Sequence, residues 1–217
     1  MPEPASDSAR IILSLWQGSW VAAWIVGAFV WGLIFWAVIA YRRRGDHLPA
    51  QTRYNVPIEA LYTVVPFIIV AVLFIFTARD QTKLTAITED TTQVNVIEVN
   101  AIRWSWQFTY PEAGGATVTG TPAQPPTLVL PQGERVRFVL TTSDVNHSFW
   151  VPAFAMKMDH IAGRTNQFEL TPEKLGTYPG RCAELCGRSH YRMIFTVKVV
   201  TPSEYDAYLE QLRGAGA

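Results

Sequence analysis

The first third of the chain contains two long apolar stretches without a charged residue. They cover residues 21–40 (VAAWIVGAFVWGLIFWAVIA) and residues 60–78 (ALYTVVPFIIVAVLFIFTA). A helix needs roughly 20 such residues to cross the hydrocarbon core of a bilayer. Two buried core helices of a water-soluble domain are the alternative, but helices of that kind carry a polar stripe, which neither stretch shows. The pattern therefore predicts a hairpin of two membrane-spanning helices.

The short segment between the two apolar stretches is strongly basic. Only one carboxylate, Asp46, accompanies five basic side chains in this segment: Arg42, Arg43, Arg44, His47 and Arg53. Loops rich in Lys and Arg tend to stay on the cytoplasmic side of a membrane. We therefore predict a cytoplasmic loop, with both termini and all residues after about Arg79 on the outer side.

From about Ile87 onward, apolar positions alternate with polar ones, as they do in half-buried strands. The strand candidates are 93–101, 127–130, 134–140 (ERVRFVL) and 195–199 (FTVKV). The stretch 111–126 contains Gly-Gly and Pro-Pro pairs and is typical of a loop. Short strands with frequent breakers predict an all-β Greek-key sandwich or barrel.

The chain is predicted to end in a short helix. Thr201-Pro-Ser-Glu204 is a capping box with proline at the first helical position. Four apolar residues then fall on one helical face: Tyr205, Tyr208, Leu209 and Leu212. The patterns together divide the chain into residues 1–86, with the membrane hairpin, and residues 87–217, the outer β domain with its terminal helix.

Composition changes this picture in one respect. From residue 87 onward the chain has 11 Lys and Arg against 13 Asp and Glu. A nucleic-acid-binding domain normally carries a basic patch and a high isoelectric point. The balance of this domain therefore argues against a nucleic-acid partner.

Both cysteines of the chain lie in one short stretch, GRCAELCGRSHYRM, together with a histidine and a methionine. Cys182, Cys186, His190 and Met193 have the spacing Cys-x3-Cys-x3-His-x2-Met. A disulfide is plausible on the oxidising side of a membrane, but it leaves the histidine and the methionine without a role. Zinc accepts thiolate and imidazole, whereas thioether is a poor ligand for it. Copper accepts all three donor types, so the spacing favours copper, with the disulfide and zinc as alternatives.

Two thiolates on one loop offer more sulfur than a mononuclear copper site needs. They are able to bridge a pair of copper ions, each of which then needs a terminal imidazole. His147 follows the predicted strand that ends at Leu140, which is the place where a cupredoxin supplies its first ligand. The sequence therefore predicts that His147 joins the cluster.

The motif Cys182-Ala-Glu-Leu-Cys-Gly-Arg-Ser-His-Tyr-Arg-Met193, the upstream Asp144-Val-Asn-His-Ser148 and the two-helix hairpin resemble subunit II of cytochrome c oxidase. The resemblance implies a cupredoxin-like outer domain with a binuclear copper centre, CuA. It implies that the two cysteines bridge the coppers and that two histidines cap them. It further implies that a methionine and one backbone carbonyl are weak axial ligands. The implied metal ligands are His147, Cys182, Glu184 (carbonyl), Cys186, His190 and Met193.

The same resemblance implies a function and a set of partners. Trp104 matches the position where this family takes electrons from a c-type cytochrome, although the next position, commonly tyrosine, is Ser105 here. The electrons would pass to haem in subunit I, where oxygen is reduced to water with proton translocation. The Glu184 side chain would face a magnesium ion shared with subunit I. The protein would lie with other oxidase subunits and lipid in a bacterial plasma membrane or a mitochondrial inner membrane.

Several residues have a structural interpretation beside the functional one. Residues 102–108, which include Trp104, are read as one aromatic strand whose side chains would pack in the core. Glu59 either caps the second membrane helix or, as the resemblance implies, stands at the mouth of a proton channel into subunit I. His160 is expected at the surface or at an interface, and Asp159 and Arg164 are expected to face subunit I.

Two other functions share some of these features. One is the electron-input subunit of a nitric oxide reductase with the same copper pair, and the other is a membrane-anchored copper-delivery protein. No Cys-x-x-Cys-His haem-attachment motif follows Met193, so the electron donor is expected to be a separate molecule.

Overall fold

The computed structural model describes residues 1–46, 50–89 and 92–215. Two packing units are present: residues 14–81 form one, and residues 1–13 pack with residues 82–217 in the other. The sequence-based division at residues 86 and 87 stays a prediction, to which the structure adds that the first residues pack with the β domain. His47, which was counted in the predicted basic loop, lies outside the described residues.

Two long helices extend beyond the apolar stretches, the first at its start and the second at both ends. Helix α1 runs Asp7–Ala40 and helix α2 runs Val56–Leu84, and both are long and apolar enough to cross a membrane. Each helix continues into polar residues. Hydropathy marks only the apolar part of a helix, so the apolar stretches did not predict these polar turns. Helix α2 contains Pro66, a residue that membrane helices tolerate more readily than soluble ones.

Glu59 lies in the first turn of α2 and makes a capping interaction. Its carboxylate accepts a hydrogen bond from the backbone N–H of Asn55 at 2.9 Å. The Asn55 side chain in turn accepts one from the N–H of Ile58 at 3.4 Å. These bonds provide partners for backbone groups that a helix start leaves without one. The geometry agrees with the capping interpretation of Glu59.

Ten strands lie in the described residues of the β unit. They are β1 (Asn95–Ile102), β2 (Ser105–Tyr110), β3 (Ala116–Thr119), β4 (Thr127–Pro131), β5 (Val136–Thr142), β6 (His147–Val151), β7 (Met156–His160), β8 (Asn166–Leu170), β9 (Gly176–Cys182) and β10 (Ile194–Val200). They form two five-stranded sheets with the orders β3-β2-β1-β5-β8 and β4-β10-β9-β6-β7. Most pairs are antiparallel, but β1 pairs with β5 and β10 with β4 in parallel. The predicted Greek-key sandwich is confirmed.

Two local predictions were wrong. The stretch 111–126 was predicted as loop, yet it contains the edge strand β3, whose alternating Ala-Thr-Val-Thr pattern is too short to stand out among its glycines and prolines. Residues 102–108 were read as one strand, but β1 and β2 form a hairpin whose turn holds Arg103 and Trp104. The turn places Trp104 at the end of the sandwich and not inside a strand.

Aromatic rings fill the space between the sheets. The Phe149 ring stacks on Phe195 at a centroid distance of 4.9 Å, and Phe138 stacks on Phe168 at 4.8 Å. Trp106 is fully buried and meets Phe195 edge to face at 5.0 Å. Rings of this size supply most of the apolar area that stabilises a small sandwich. The core therefore ends directly behind the segment that carries the cysteines.

A terminal helix, α3 (Pro202–Ala215), covers one edge of the sandwich as predicted. The hydroxyl of Thr201 donates to the Glu204 carboxylate at 2.8 Å, and the same carboxylate accepts the N–H of Thr201 at 2.9 Å. The capping box is therefore formed. Tyr205 and Leu209 are buried, with Tyr208 packed against the core on the same face.

A buried carboxylate, Glu169, joins distant segments within the β unit. Its side chain is fully buried and forms an ion pair with Arg137 at 2.6 Å. It also accepts hydrogen bonds from the N–H and the hydroxyl of Thr88, at 3.1 and 2.7 Å. The Arg137 guanidinium also donates to the carbonyl of Thr88. One carboxylate thus fixes the segment that follows α2 to the sandwich.

We predict that Glu169→Gln destabilises the β unit by about 3 kcal/mol, because it leaves a largely buried guanidinium without its counter-charge. Glu173→Gln is the matched control. Its exposed pair with Arg10 has side-chain exposures of 29% and 65%, so its loss is expected to cost less than about 1 kcal/mol. Chemical denaturation of the full chain in detergent measures both values, and equal costs would contradict the prediction.

The Glu169 pair also predicts a pH dependence. Burial raises the pKa of this carboxyl, but hydrogen bonds from Thr88 and Arg137 outweigh burial and hold the pKa below its ordinary value of 4.5. The stabilisation is therefore complete above that ordinary value and is lost as the pH falls through the folded-state pKa. Stability measured from pH 6 downward should decline less steeply in Glu169→Gln than in the parent chain.

Candidate metal centre

The ligand cluster lies at one end of the sandwich, on two loops. His147 opens β6, Cys182 closes β9, and Cys186, His190 and Met193 lie on the segment that leads into β10. The backbone N–H of Cys182 donates to the carbonyl of Met193 at 2.9 Å, which closes the base of this segment. Residues 35 positions apart in sequence, His147 and Cys182, are brought together because β6 and β9 are neighbours in one sheet.

The two cysteine sulfurs are close but not bonded. Their distance is 3.9 Å, whereas a disulfide needs about 2.05 Å. Both cysteines are free and buried. The structure therefore holds the two sulfurs side by side without a bond between them.

Each sulfur has its own imidazole. Cys182 Sγ lies 3.8 Å from His147 Nδ1, and Cys186 Sγ lies 3.5 Å from His190 Nδ1. The thioether of Met193 lies 3.7 Å from Cys186 Sγ. The carbonyl oxygen of Glu184 lies 3.2 Å from Cys182 Sγ. All six residues that the sequence predicted are thus brought into one cluster.

These distances fit donors that share metal ions. Metal–sulfur and metal–nitrogen bonds of about 2.0–2.3 Å place two donors on one tetrahedral ion about 3.5–3.8 Å apart. The donor atoms of His147, Cys182 and Cys186 all lie within 4.8 Å of one another. Thiolate, imidazole and thioether together form a donor set that suits copper. The residues present therefore fit the metal that the sequence predicted.

A carboxylate orients the first histidine. Nε2 of His147 donates to Asp144 Oδ1 at 2.9 Å, so its Nδ1 carries the free lone pair that points to Cys182. Asp144 also accepts from the N–H and the side chain of Arg103, at 2.9 and 3.0 Å. Sequence reasoning did not assign Asp144 this role, although its Asp-x-x-His spacing was a usable signal. Metal-binding histidines are commonly held in this way.

The protonation of the cluster follows from these contacts. Burial alone would lower the pKa of His147, but the bonds to Cys182 and Asp144 raise it. Burial would raise the pKa of Asp144, yet hydrogen bonds from His147 and Arg103 hold it well below its usual range. Burial and the neighbouring Cys182 raise the pKa of Cys186 to about 12. Two thiolates this close repel each other unless a cation lies between them.

Trp104 contacts the cysteine loop directly. Its indole N–H donates to the carbonyl of Cys186 at 3.2 Å, and its ring is half-buried. Gly187 lies beside the same ring, and its φ of +118° is a backbone conformation that favours glycine. Ser105, the position that departs from the family pattern, is buried.

His160 was expected at the surface or at an interface, and that prediction was wrong. The side chain is fully buried beside Trp106, with ring centroids 5.5 Å apart. Its Nδ1 donates to the carbonyl of Thr141 at 2.7 Å, and burial lowers its pKa to about 4. The residue pairs with His147 across β6 and β7, so the histidine faces the core behind the cluster.

The side chain of Glu184 points away from the sulfurs. It is exposed and lines a surface cleft that also contains Asp159 and Arg164. The same residue therefore offers its carbonyl to the buried cluster and its carboxylate to the cleft. Glu59, the remaining predicted site residue, lies in the helical unit described above.

Comparison with known proteins agrees with this geometry. The family model for the transmembrane domain of cytochrome c oxidase subunit II matches residues 1–79, and that for its periplasmic domain matches residues 123–200. A probable cytochrome c oxidase subunit 2 of Streptomyces avermitilis is 48% identical over 257 residues, covering 100% of this chain and 79% of that protein. The cytochrome c oxidase subunit 2 of Mycobacterium tuberculosis is 34% identical, covering 97% of this chain and 74% of that protein.

A solved structure shows the same fold. The periplasmic domain of subunit II of cytochrome oxidase from Bradyrhizobium japonicum superposes with a TM-score of 0.53 at 29% identity, over 57% of this chain and 96% of that one. Both family models and the full-length relatives lead to one assignment. The chain belongs to the cytochrome c oxidase subunit II family.

Proposed function

We propose that the chain is the electron-input subunit of a terminal oxidase and holds two copper ions in its β unit. The observation that carries the proposal is the pair of unbonded sulfurs 3.9 Å apart, each with its own imidazole. A single ion would need one set of donors around one point. Two sulfurs side by side, each with its own nitrogen, instead offer two positions, each with access to both sulfurs.

In this proposal the two ions would be held by Cys182 and Cys186 together with His147 and His190. Met193 and the Glu184 carbonyl supply one weak ligand each. When bound, copper supplies one-electron chemistry between Cu(I) and Cu(II). The protein keeps the donors in place and keeps water away, since His147, Cys182, Cys186 and Met193 are all buried.

Rigid support of the ligands suits rapid electron transfer, because donors that stay in place require little rearrangement. His147 is fixed through Asp144, which Arg103 fixes in turn. The Phe195 ring lies directly against Gly180, where an added Cβ would come within 2.2 Å of it. The loop that carries the cysteines therefore stands on a closely packed base.

Trp104 is the proposed electron-input position. Its ring joins the surface of the domain to the Cys186 backbone through a hydrogen bond of 3.2 Å. The path from solvent to the sulfur pair then runs through the Trp104 side chain and through Cys186. A c-type cytochrome bound over this ring would donate electrons one at a time, and the chain would pass them to haem in subunit I.

Three further assignments belong to the same proposal. The β unit and both termini lie on the outer side of the membrane, with the basic loop in the cytoplasm. The Glu184 carboxylate contributes to a magnesium site shared with subunit I, because carboxylate oxygens are preferred magnesium ligands and this side chain faces an open cleft with Asp159. Glu59, besides capping α2, stands at the mouth of a proton channel into subunit I.

The burial of the ligands also bears on the copper-delivery alternative. A protein that hands copper to others needs ligands that a partner is able to reach. Here Cys182 and Cys186 have exposures of 5% and 4%, and Met193 is fully buried. This closed arrangement favours retention of the metal.

We predict that Cys186→Ser abolishes the binuclear centre and blocks cytochrome c oxidation by the assembled complex, since it removes one of the two bridging sulfurs. Met193→Leu, which removes a weak ligand, should also block turnover. Met158→Leu is the control, because this methionine lies on β7 outside the ligand cluster. Electron paramagnetic resonance should show a seven-line copper pattern in the parent and control complexes and its loss in Cys186→Ser.

Elemental analysis of the purified complex checks the metal itself. Zinc at the cluster, a covalent bond between the two cysteine sulfurs in the active state, or a four-line spectrum of a single copper would each contradict the proposal.

We predict that Trp104→Phe slows electron input from the cytochrome without changing the copper spectrum, because it removes the indole hydrogen bond to Cys186 but no ligand. Trp150→Phe is the matched control, since the Trp150 ring lies over the Arg181 guanidinium and, among the described hydrogen bonds, none joins its indole to the cysteine loop. Stopped-flow reduction by cytochrome c measures the step. An unchanged rate in Trp104→Phe would place electron input elsewhere.

A further inference from the structure

The directions of the strands sort the loops of the sandwich into two ends. Strands β1, β3, β5, β7 and β9 run toward the end that carries the metal ligands, and the strands that follow them run away from it. Five loops therefore meet at this ligand end. They cover residues 103–104, 120–126, 143–146, 161–165 and 183–193.

Charge is distributed unevenly between the ligand end and the rest of the domain. The five loops contain four arginines, Arg103, Arg164, Arg188 and Arg192, and two carboxylates, Asp144 and Glu184. The domain from residue 87 onward is nevertheless slightly acidic, with 11 basic residues against 13 acidic ones. The ligand end is thus basic in a domain whose remaining surface is acidic.

The surface around Trp104 carries the basic side chains without exposed carboxylates of its own. Arg103 precedes this tryptophan in the sequence. The Trp104 ring lies beside Gly187, and Arg188 is the residue that follows this glycine. The nearby Asp144 is only 20% exposed and is paired with Arg103 at 3.0 Å. Its charge is therefore compensated before a partner arrives.

The other carboxylate of the ligand end lies on a different side. Glu184 lines the cleft that also holds Asp159, Lys157 and Arg164, where two acidic and two basic groups balance. Arg188 and Arg192 remain as exposed cations, and within the described part of the chain their guanidinium groups have no ion pair or hydrogen bond. These two side chains give the ligand end its net positive charge.

Exposed apolar groups complete this surface. Tyr191, between His190 and Arg192, is 78% exposed, and Leu185 of the same loop is also 78% exposed. Transient protein interfaces combine a small apolar centre with a charged rim that sets orientation and association rate. The loop that carries the metal ligands has both features.

We infer that the donor docks on Trp104 through an acidic surface around its haem edge, attracted by Arg188 and Arg192. The inference rests on the proposed function and adds the chemistry of the partner. In each encounter the donor haem iron passes from Fe(II) to Fe(III) and one electron enters the complex, with no bond made or broken. A lysine-rich cytochrome would meet like charges here, whereas a carboxylate-rich one is steered onto the site.

The test uses the purified oxidase complex and two soluble c-type cytochromes of similar potential, one acidic and one basic at the haem edge. Arg188→Glu and Arg192→Glu, alone and together, reverse the charges in question. Lys198→Glu is the matched control, because it makes the same change in charge on an exposed position of β10, beyond the loop.

We expect the parent complex to oxidise the acidic cytochrome faster at low ionic strength, with a rate that falls as salt is added. The double reversal should lower kcat/KM for the acidic cytochrome by about tenfold or more and reduce its salt dependence, because steering changes association rates by about 10–10³. The basic cytochrome should gain from the same reversal. Lys198→Glu should leave both rates within about twofold of the parent.

Two outcomes separate this inference from the function on which it rests. Faster oxidation of the basic cytochrome by the parent, or an acidic-cytochrome rate unaffected by the double reversal, overturns the inference and leaves the electron-input function standing. Oxidation of neither cytochrome, while a small artificial reductant still drives oxygen consumption, contradicts the electron-input function and the inference together.

Discussion

Two buried sulfur atoms at non-bonded distance are the constraint on which the structure depends. Cys182 and Cys186 are close enough to share a metal ion and too far apart to form a disulfide. As thiolates they would repel each other in a site with little water, so the folded arrangement favours a bound cation. The surrounding elements position the two imidazoles, the thioether and the carbonyl around that pair.

The sandwich produces this arrangement in two ways, through the pairing of its strands and through the packing of its core. Neighbouring strands β6 and β9 bring His147 beside Cys182, although the two residues are far apart in the chain. The aromatic core behind them leaves no room for the loop to collapse, as the contact of Phe195 with Gly180 shows. Fixed ligands and a dry interior thus have the same origin in the packing of the two sheets.

The sequence predicted the parts of the fold that depend on local pattern or on a compact motif. The membrane helices, the capping box at Thr201 and the cysteine loop are all of this kind, since their signals lie within a few turns or a dozen residues. His160 was harder to interpret because its role depends on strand pairing. His160 is buried because β7 lies against β6 and the carbonyl of Thr141 accepts a hydrogen bond from its ring N–H. A polar residue in a turn-rich segment gives no sign of that burial.

The first residues of the chain make their contacts with the sandwich and not with the membrane hairpin. Ala5 and Ser6 are buried, and the N–H of Ala5 donates to the carbonyl of Ala153 at 2.9 Å, while Asp7 bonds with Thr171. A β domain produced in isolation from residue 82 onward would lack this short segment, and apolar surface beside Phe154 would be open to water. Joining residues 1–13 to residue 82 through a flexible linker would restore the missing piece, so a water-soluble version of the domain is better designed as two joined segments than as one continuous truncation.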